Sequence, residues 1–165
     1  MRLLFVLALV LSPVANAEET YITMPNENWT LKLETPPITN IEMKTRNRII
    51  RYLGSSVETG VTISVNSEIE TSSNNEECFK AFWAKAQANP VMVKSTIKTR
   101  NDTKAYYATH QSGGEYKGQA FKTANGHAYF AKDGICIDLH VSHWPFTGTS
   151  ESIVSSILES IEIIE

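Results

Sequence analysis

The sequence predicts an α+β domain in which an antiparallel sheet carries two main helices, one on each face. Three observations lead to this fold class. Most of the 165-residue chain alternates apolar and polar side chains as strands do, and two stretches show the 3.6-residue repeat of amphipathic helices. These segments follow one another as strands, helix, strands, helix. We therefore expect an αβα sandwich.

The predicted strands lie in two groups. Apolar residues alternate with polar ones in residues 29–34, which end at a Pro-Pro pair, and again in residues 61–66. Residues 48–53 form a less regular candidate between them. Further on, residues 91–98 and 104–109 are rich in the β-branched and aromatic side chains that favour strands.

Each predicted helix has a recognisable start. The run Ser73-Asn74-Asn75-Glu76 has the spacing of a capping box, and apolar side chains then recur on one face until Asn89-Pro90 ends the helix. The second helix begins near Thr149-Ser150 and places an apolar stripe on one side. Residues 161–164 fit either its last turn or a short strand that follows it.

Two dipeptides, Asn125-Gly126 and Asp133-Gly134, lie between strand-like runs and favour two-residue hairpin turns. With both turns present, residues 115–143 form a three-stranded meander in which His127 lies opposite His140. Alternation then assigns the side chains to two faces. The core face holds Phe121, Ala128, Phe130, Ile135, Ile137, Leu139 and Val141, and the other holds Ala120, Lys122, His127, Tyr129, Ala131, Cys136, Asp138 and His140.

The N-terminus has the pattern of a cleavable signal peptide. Arg2 precedes an apolar run too short to span a bilayer, and residues 14–17 present small side chains at the two positions that a signal peptidase accepts. We expect cleavage after Ala17, which leaves residues 18–165 as a single domain in the periplasm or outside the cell. No later segment is long and apolar enough for a membrane span.

The two cysteines, Cys78 and Cys136, are expected to form a disulfide, because an even number of cysteines in an oxidising compartment favours bridging. Two buried free thiols are the alternative. A bridge would hold the first helix against the small residues at one end of the meander, and the C-terminal helix would then cover the opposite face.

Charge and motifs exclude some classes of function. The net charge is −3, or −4 once Arg2 is removed, and no cluster of Lys and Arg opposes it, so nucleic acid is not an expected partner. No cofactor-binding motif is present, and we predict no cofactor. Ser112-Gly113-Gly114 lacks the strand-to-helix turn that a nucleophilic serine needs and is interpreted as a hairpin loop.

The candidate binding residues are His127, His140, Asp138 and His143. Directly opposed residues on neighbouring strands hold their β-carbons about 5 Å apart, so His127 and His140 can share a metal ion or small ligand, with Asp138 or His143 as a third group. The helical spacing typical of zinc enzymes is absent. The alternative is an ordinary polar cross-strand pair. A small hydrolase with His140 or His143 as general base is a further hypothesis.

Several segments together resemble the small exported Mog1/PsbP-like domains. They are Trp29-Thr30-Leu31, Tyr52-Leu53-Gly54, residues 61–65, the helix with Trp83, and the closing helix that ends at residues 157–161. The resemblance implies an αβα sandwich used as a binding or assembly module without a shared catalytic site, and no functional residue carries over. The predicted function is that of an exported, non-enzymatic binding or accessory module for an envelope or secreted protein, toxin-neutralising proteins being one example.

Overall fold

The computed structural model describes residues 17–69 and 74–165. The predicted signal peptide therefore lies outside the described residues apart from Ala17, and so does Ser73 of the predicted capping box. Within the described ranges, no helix has the length and apolar character needed to cross a membrane.

The described residues form ten strands and two helices. In chain order these are β1 (Glu18–Thr23), β2 (Thr30–Thr35), β3 (Asn40–Arg46), β4 (Ile49–Ser56), β5 (Val61–Ile69), α1 (Asn75–Gln87), β6 (Met92–Asn101), β7 (Tyr106–Tyr116), β8 (Gln119–Lys132), β9 (Ile135–His143), α2 (Ser150–Glu159) and β10 (Glu162–Ile164).

The strands form two antiparallel sheets. The larger sheet has seven strands in the order β3-β4-β5-β9-β8-β7-β6, and the smaller has the order β1-β2-β10. Every pair of neighbouring strands is antiparallel. The α+β class with antiparallel pairing is confirmed, although β1 and β3 were not among the predicted strands and the smaller sheet was not expected.

Both helices begin within one residue of the predicted starts, and the cap of α1 is the second residue of the predicted capping box. Asn74 caps α1, because its side chain accepts a hydrogen bond from the Glu77 backbone N–H at 3.0 Å. The helix ends at Gln87, just before Asn89-Pro90. After α2 the chain leaves the helix, and β10 pairs with β2, so the short-strand alternative for residues 161–164 is the correct one.

Buried side chains form two hydrophobic clusters. The main core joins apolar residues of both sheets to Val154, Ile157 and Leu158 of α2. A second cluster joins α1 to β7, β8 and β9 and contains both cysteines. Cys78 and Cys136 form the expected disulfide, with their Cα atoms 5.4 Å apart. The bridge ties α1 to the start of β9.

One of the two predicted hairpin turns is correct. Asp133 and Gly134 have positive φ angles of 52° and 76° and connect β8 to β9. The resulting register places His127 opposite His140 and Ala131 opposite Cys136, as predicted from the sequence.

The turn predicted at Asn125-Gly126 is wrong, because both residues lie inside β8. The preceding hairpin turns at Lys117-Gly118 instead, where φ is 50° and 78°. A Cβ atom on Gly126 would lie 2.6 Å from side-chain atoms of both Val154 and Leu158, so this glycine permits the close approach of α2 rather than a turn.

The unbroken β8 changes two further predictions. Phe121 now lies on the face of His127 and Tyr129, not beside Phe130, and the faces predicted for Ala120 and Lys122 are reversed as well. Ser112-Gly113-Gly114 is part of β7 rather than a hairpin loop. Both errors follow from the misplaced turn, because it shortened β8 and left no partner for the second half of β7.

Candidate functional site

Three histidine rings lie against one another on one face of the large sheet. We call His110, His127 and His140 the histidine stack. His127 and His140 are cross-strand neighbours whose ring centroids are 4.3 Å apart with nearly parallel planes. His110 lies diagonally across from His127, with a centroid distance of 5.8 Å. The stack therefore extends over β7, β8 and β9.

Hydrogen bonds define the orientation of two of these rings. His127 Nδ1 lies 2.9 Å from Asp138 Oδ1, and a carboxylate oxygen only accepts, so His127 donates. His140 Nε2 lies 3.2 Å from Asn125 Oδ1, whose amide nitrogen in turn donates to Thr123 Oγ1 at 2.9 Å. His140 therefore carries its proton on Nε2. Asp138 and Asn125 hold the rings in place.

Aromatic side chains enclose the stack. Trp83 of α1 lies 5.9 Å from the His127 ring and 6.1 Å from the His110 ring. Tyr129 is stacked on His127 at 5.4 Å, and burial raises the pKa of its phenol. The disulfide that secures α1 thus also keeps Trp83 over the histidines.

Burial holds part of the stack neutral. The pKa of His140 lies well below its usual value, first because the ring is buried and then because His127 and His110 are close. The pKa of His110 is also lowered, chiefly by burial, although the Gln111 carbonyl opposes the shift. Protonation of either ring would place a charge inside a packed aromatic cluster.

The structure brings together three of the four predicted binding residues. His127, His140 and Asp138 share one face, whereas His143 lies on the other face and bonds through Nδ1 to Ser150 Oγ of α2 at 2.8 Å. The planes of His127 and His140 are 12° apart, so their in-plane lone pairs do not converge on one point. In the described ranges no group of three or more His, Cys, Asp or Glu is suited to a metal ion. Metal binding stays a prediction, which metal analysis of the parent chain beside a His140→Ala variant would test.

A buried serine also lies close to the stack, at a position predicted to lie in a loop. Ser112 Oγ is 3.4 Å from His110 Nδ1. The same nitrogen lies 3.2 Å from the Gln111 carbonyl, which only accepts, so Nδ1 carries the proton. It then donates toward Ser112 and cannot remove its proton, which is the opposite of what nucleophilic catalysis requires.

A second feature, which was not predicted from the sequence, is a group of three aromatic side chains, two of them exposed, at one end of the large sheet. We call Tyr116, Phe121 and Trp144 the aromatic patch. Together with Gln119 and Ala120 they line an open concavity of about 370 Å³. Tyr116 is 67% exposed and Trp144 is 59% exposed. A prediction of the β7–β8 turn at Lys117-Gly118 would have pointed to this group, because that turn places Tyr116 at the tip of the hairpin.

The histidine stack should make the chain sensitive to mild acid. Because the folded-state pKa values of His110 and His140 are lowered, the unfolded chain takes up protons first as the pH falls below about 6.5. The free energy of unfolding should therefore decrease from neutral pH toward pH 5, above the range in which the carboxylates titrate. Urea unfolding at several pH values measures this.

The matched control for acid sensitivity is a His110→Gln/His140→Gln variant, which keeps hydrogen-bonding groups at both positions without a titrating ring. Its unfolding free energy should depend less on pH between 7 and 5 than that of the parent. Equal pH dependence in the two proteins would show that the stack does not cause the effect.

The comparisons with known proteins concern the fold. No family model matches the chain, and no curated protein matches it. Among solved structures, it is similar to LpqN of Mycobacterium tuberculosis, described as involved in cell envelope biogenesis, with a TM-score of 0.54 and 11% identity over 90% of this chain and 91% of LpqN. A structure from Bacteroides thetaiotaomicron VPI-5482 is less similar, with a TM-score of 0.47 and 6% identity over 82% of this chain and 45% of the other chain. The chain is thus similar to LpqN in fold.

Proposed function

We propose that this chain is an exported, non-enzymatic binding or accessory module that recognises an envelope or secreted protein through the aromatic patch. The main support for this proposal is that Tyr116 and Trp144 are exposed beside an open concavity. Tryptophan and tyrosine are enriched among the residues that dominate binding energy in protein interfaces, and exposed apolar groups of this kind mark interaction sites.

Regular structure positions the patch. Tyr116 ends β7, Phe121 lies in β8, and Trp144 follows β9, so all three are attached to neighbouring strands of one sheet. Aromatic side chains held in this way lose little conformational freedom on binding. This favours a docking surface over an incidental exposure of single side chains.

A lysine beside the patch favours a partner of particular chemistry. Lys117 Nζ lies 5.3 Å from the centre of the Tyr116 ring, so a positive charge borders the aromatic side chains. We infer a partner surface with an apolar centre and an acidic side chain opposite Lys117. Such an interface should associate more slowly at high salt, because screening weakens this attraction.

Two observations support export. The buried Cys78–Cys136 disulfide is typical of proteins that mature in an oxidising compartment. LpqN, which is similar in fold, is described as involved in cell envelope biogenesis. Together with the signal-peptide pattern of residues 1–17, they favour a periplasmic or secreted location.

We further infer that the two helices cover opposite faces of the large sheet, as in an αβα sandwich and as the resemblance to Mog1/PsbP-like domains implies. Tyr129 and Cys136 share a cluster with α1, whereas Ala128 and Phe130 share the main core with α2. Adjacent residues of one strand point to opposite faces, and β8 is buried from Ala124 to Phe130. The aromatic patch then lies beyond the layered part of the domain.

Affinity capture with a matched pair of variants tests the function. The purified mature chain should enrich the same few proteins in repeated captures from an envelope extract, and a Tyr116→Ala/Trp144→Ala variant should lose them. A Val57→Ala variant changes an exposed apolar side chain, 79% exposed, outside the patch and should retain them. Identical captures by all three proteins, or no reproducible enrichment, would contradict the proposal.

A further inference from the structure

One of the two edge strands of the large sheet, β3, consists of exposed residues only. It lies at one end of the strand order, and all seven of its residues are exposed. Ile41 is 59% exposed and Met43 is 58% exposed. The side of β3 that faces away from β4 has no strand partner in the described parts of the chain. Such an edge is a template for pairing with another strand.

We propose that β3 pairs with β3 of a second copy of this chain, antiparallel and about a two-fold axis through Met43, so that the two large sheets become continuous. The reason is that β3 is self-complementary in this register. Glu42 lies opposite Lys44 of the second copy, and Lys44 opposite its Glu42. On the other face, Met43 meets Met43 and Ile41 meets Thr45. The occupant of this edge is therefore the chain itself.

Neighbouring registers are less favourable. Only alternate residues of an edge strand direct their N–H and C=O groups outward, so a two-fold pairing must be centred on a residue rather than between two residues. A two-fold axis through Glu42 would place the Glu42 carboxylates of the two copies opposite each other, and an axis through Lys44 would do the same with the two Lys44 ammonium groups. Like charges directly opposite each other destabilise a strand pair, which selects the centre at Met43.

The charges of β3 also lack partners within the chain. Among the described residues, neither Glu42 nor Lys44 takes part in an ion pair. Lys44 instead lies opposite Arg51 of β4, a like-charged neighbour in the same sheet. Glu42 of a second copy would lie on the other side of Lys44 and supply the missing opposite charge.

The other edge of the sheet is less suited to pairing. β6 has a break in its register with β7 between Val93 and Lys98, which disturbs the ladder of that edge. β3, in contrast, pairs with β4 over all seven residues without a break. A regular edge presents evenly spaced backbone groups, and this makes β3 the strand that can extend the sheet.

Charge exchange tests the register in the mature full chain. Sedimentation equilibrium should show a dimer for the parent. In Glu42→Lys, lysine lies opposite lysine at two places across the axis, and in Lys44→Glu, glutamate lies opposite glutamate at two places. Each variant should therefore raise the dissociation constant of the dimer about ten-fold or more. Mixing the two variants should restore dimers, because each Lys then faces a Glu. The double variant Glu42→Lys/Lys44→Glu should also dimerise alone.

Cysteine cross-linking provides a second test with a matched control. Met43→Cys places two thiols opposite each other at the axis, whereas Thr45→Cys, on the same face, lies opposite residue 41 of the second copy. Oxidation should link the first variant into covalent dimers and leave the second unlinked. A monomeric parent at every concentration, dimers insensitive to charge reversal, or equal linking at both positions would overturn the proposal. The aromatic patch is not involved in either test.

Discussion

Removal of the Cys78–Cys136 disulfide should lower the free energy of unfolding by about 4 kcal/mol. The bridge closes a loop of 58 residues, and in the chain-entropy model a cross-link of this span restricts the unfolded ensemble by about that amount. Both cysteines are almost completely buried, so alanine is the suitable replacement. Urea unfolding of a Cys78→Ala/Cys136→Ala variant beside the parent measures the difference.

The same variant should disturb the histidine stack. Trp83 lies on α1 together with Cys78 and contacts His110 and His127, so a looser helix should change the tryptophan fluorescence of the folded protein. The parent treated with reductant is the control and should lose a similar amount of stability. A loss below about 1 kcal/mol in both would show that packing of α1 alone holds the helix, contrary to the expectation.

Replacement of Gly126 by valine should destabilise the fold by about 1–3 kcal/mol or more. The added Cβ would lie 2.6 Å from Val154 Cγ1 and from Leu158 Cδ1, and α2 or β8 must move to make room. Valine is a better strand residue than glycine, so its intrinsic preference opposes the predicted effect. A decrease in the urea midpoint would therefore report the steric contact with α2.

A double-mutant cycle separates this contact from other causes. Leu158→Ala alone should cost about 2–5 kcal/mol, because the side chain is almost completely buried. Combined with Gly126→Val, the total cost should be smaller than the sum of the two, because the new methyl groups occupy the vacated space. Gly148→Ala is the control, since a Cβ at Gly148 meets no atom within 4 Å. If the destabilisation of the double variant equals the sum of the two single effects, residues 126 and 158 do not interact, which would contradict the proposed contact.

The turn at Asp133-Gly134 shows which part of the site is predictable. Its two residues adopt the positive φ angles that the dipeptide favours, and the register of β8 and β9 follows from the turn by counting. The opposition of His127 to His140 and of Ala131 to Cys136 could therefore be predicted without the structure. Both helix starts were predictable for a similar reason, since capping and periodicity are local properties.

The remaining features of the site could not be derived in this way. His110 joins the histidine stack only because β8 continues through Asn125-Gly126 and pairs with β7 from Tyr129 to Gln119. The aromatic patch depends on the same continuation, which moves the turn to Lys117-Gly118. β3 alternates Ile41 and Met43 with Glu42 and Lys44, but all seven of its residues are exposed, so its place at the sheet edge follows from the tertiary structure and not from a buried face.

The sequence by itself determined the antiparallel α+β class, the starts of both helices, the end of α1, the cysteine pair and the central histidine pair, because these depend on local propensity and on counting along one hairpin. The tertiary structure decided the role of Asn125-Gly126. This dipeptide has the residues of a turn, yet its glycine lies in a strand beneath α2, where any side chain would collide with Val154 and Leu158. A close contact with a helix more than 25 residues away in the chain leaves no mark in the local sequence that distinguishes it from a turn.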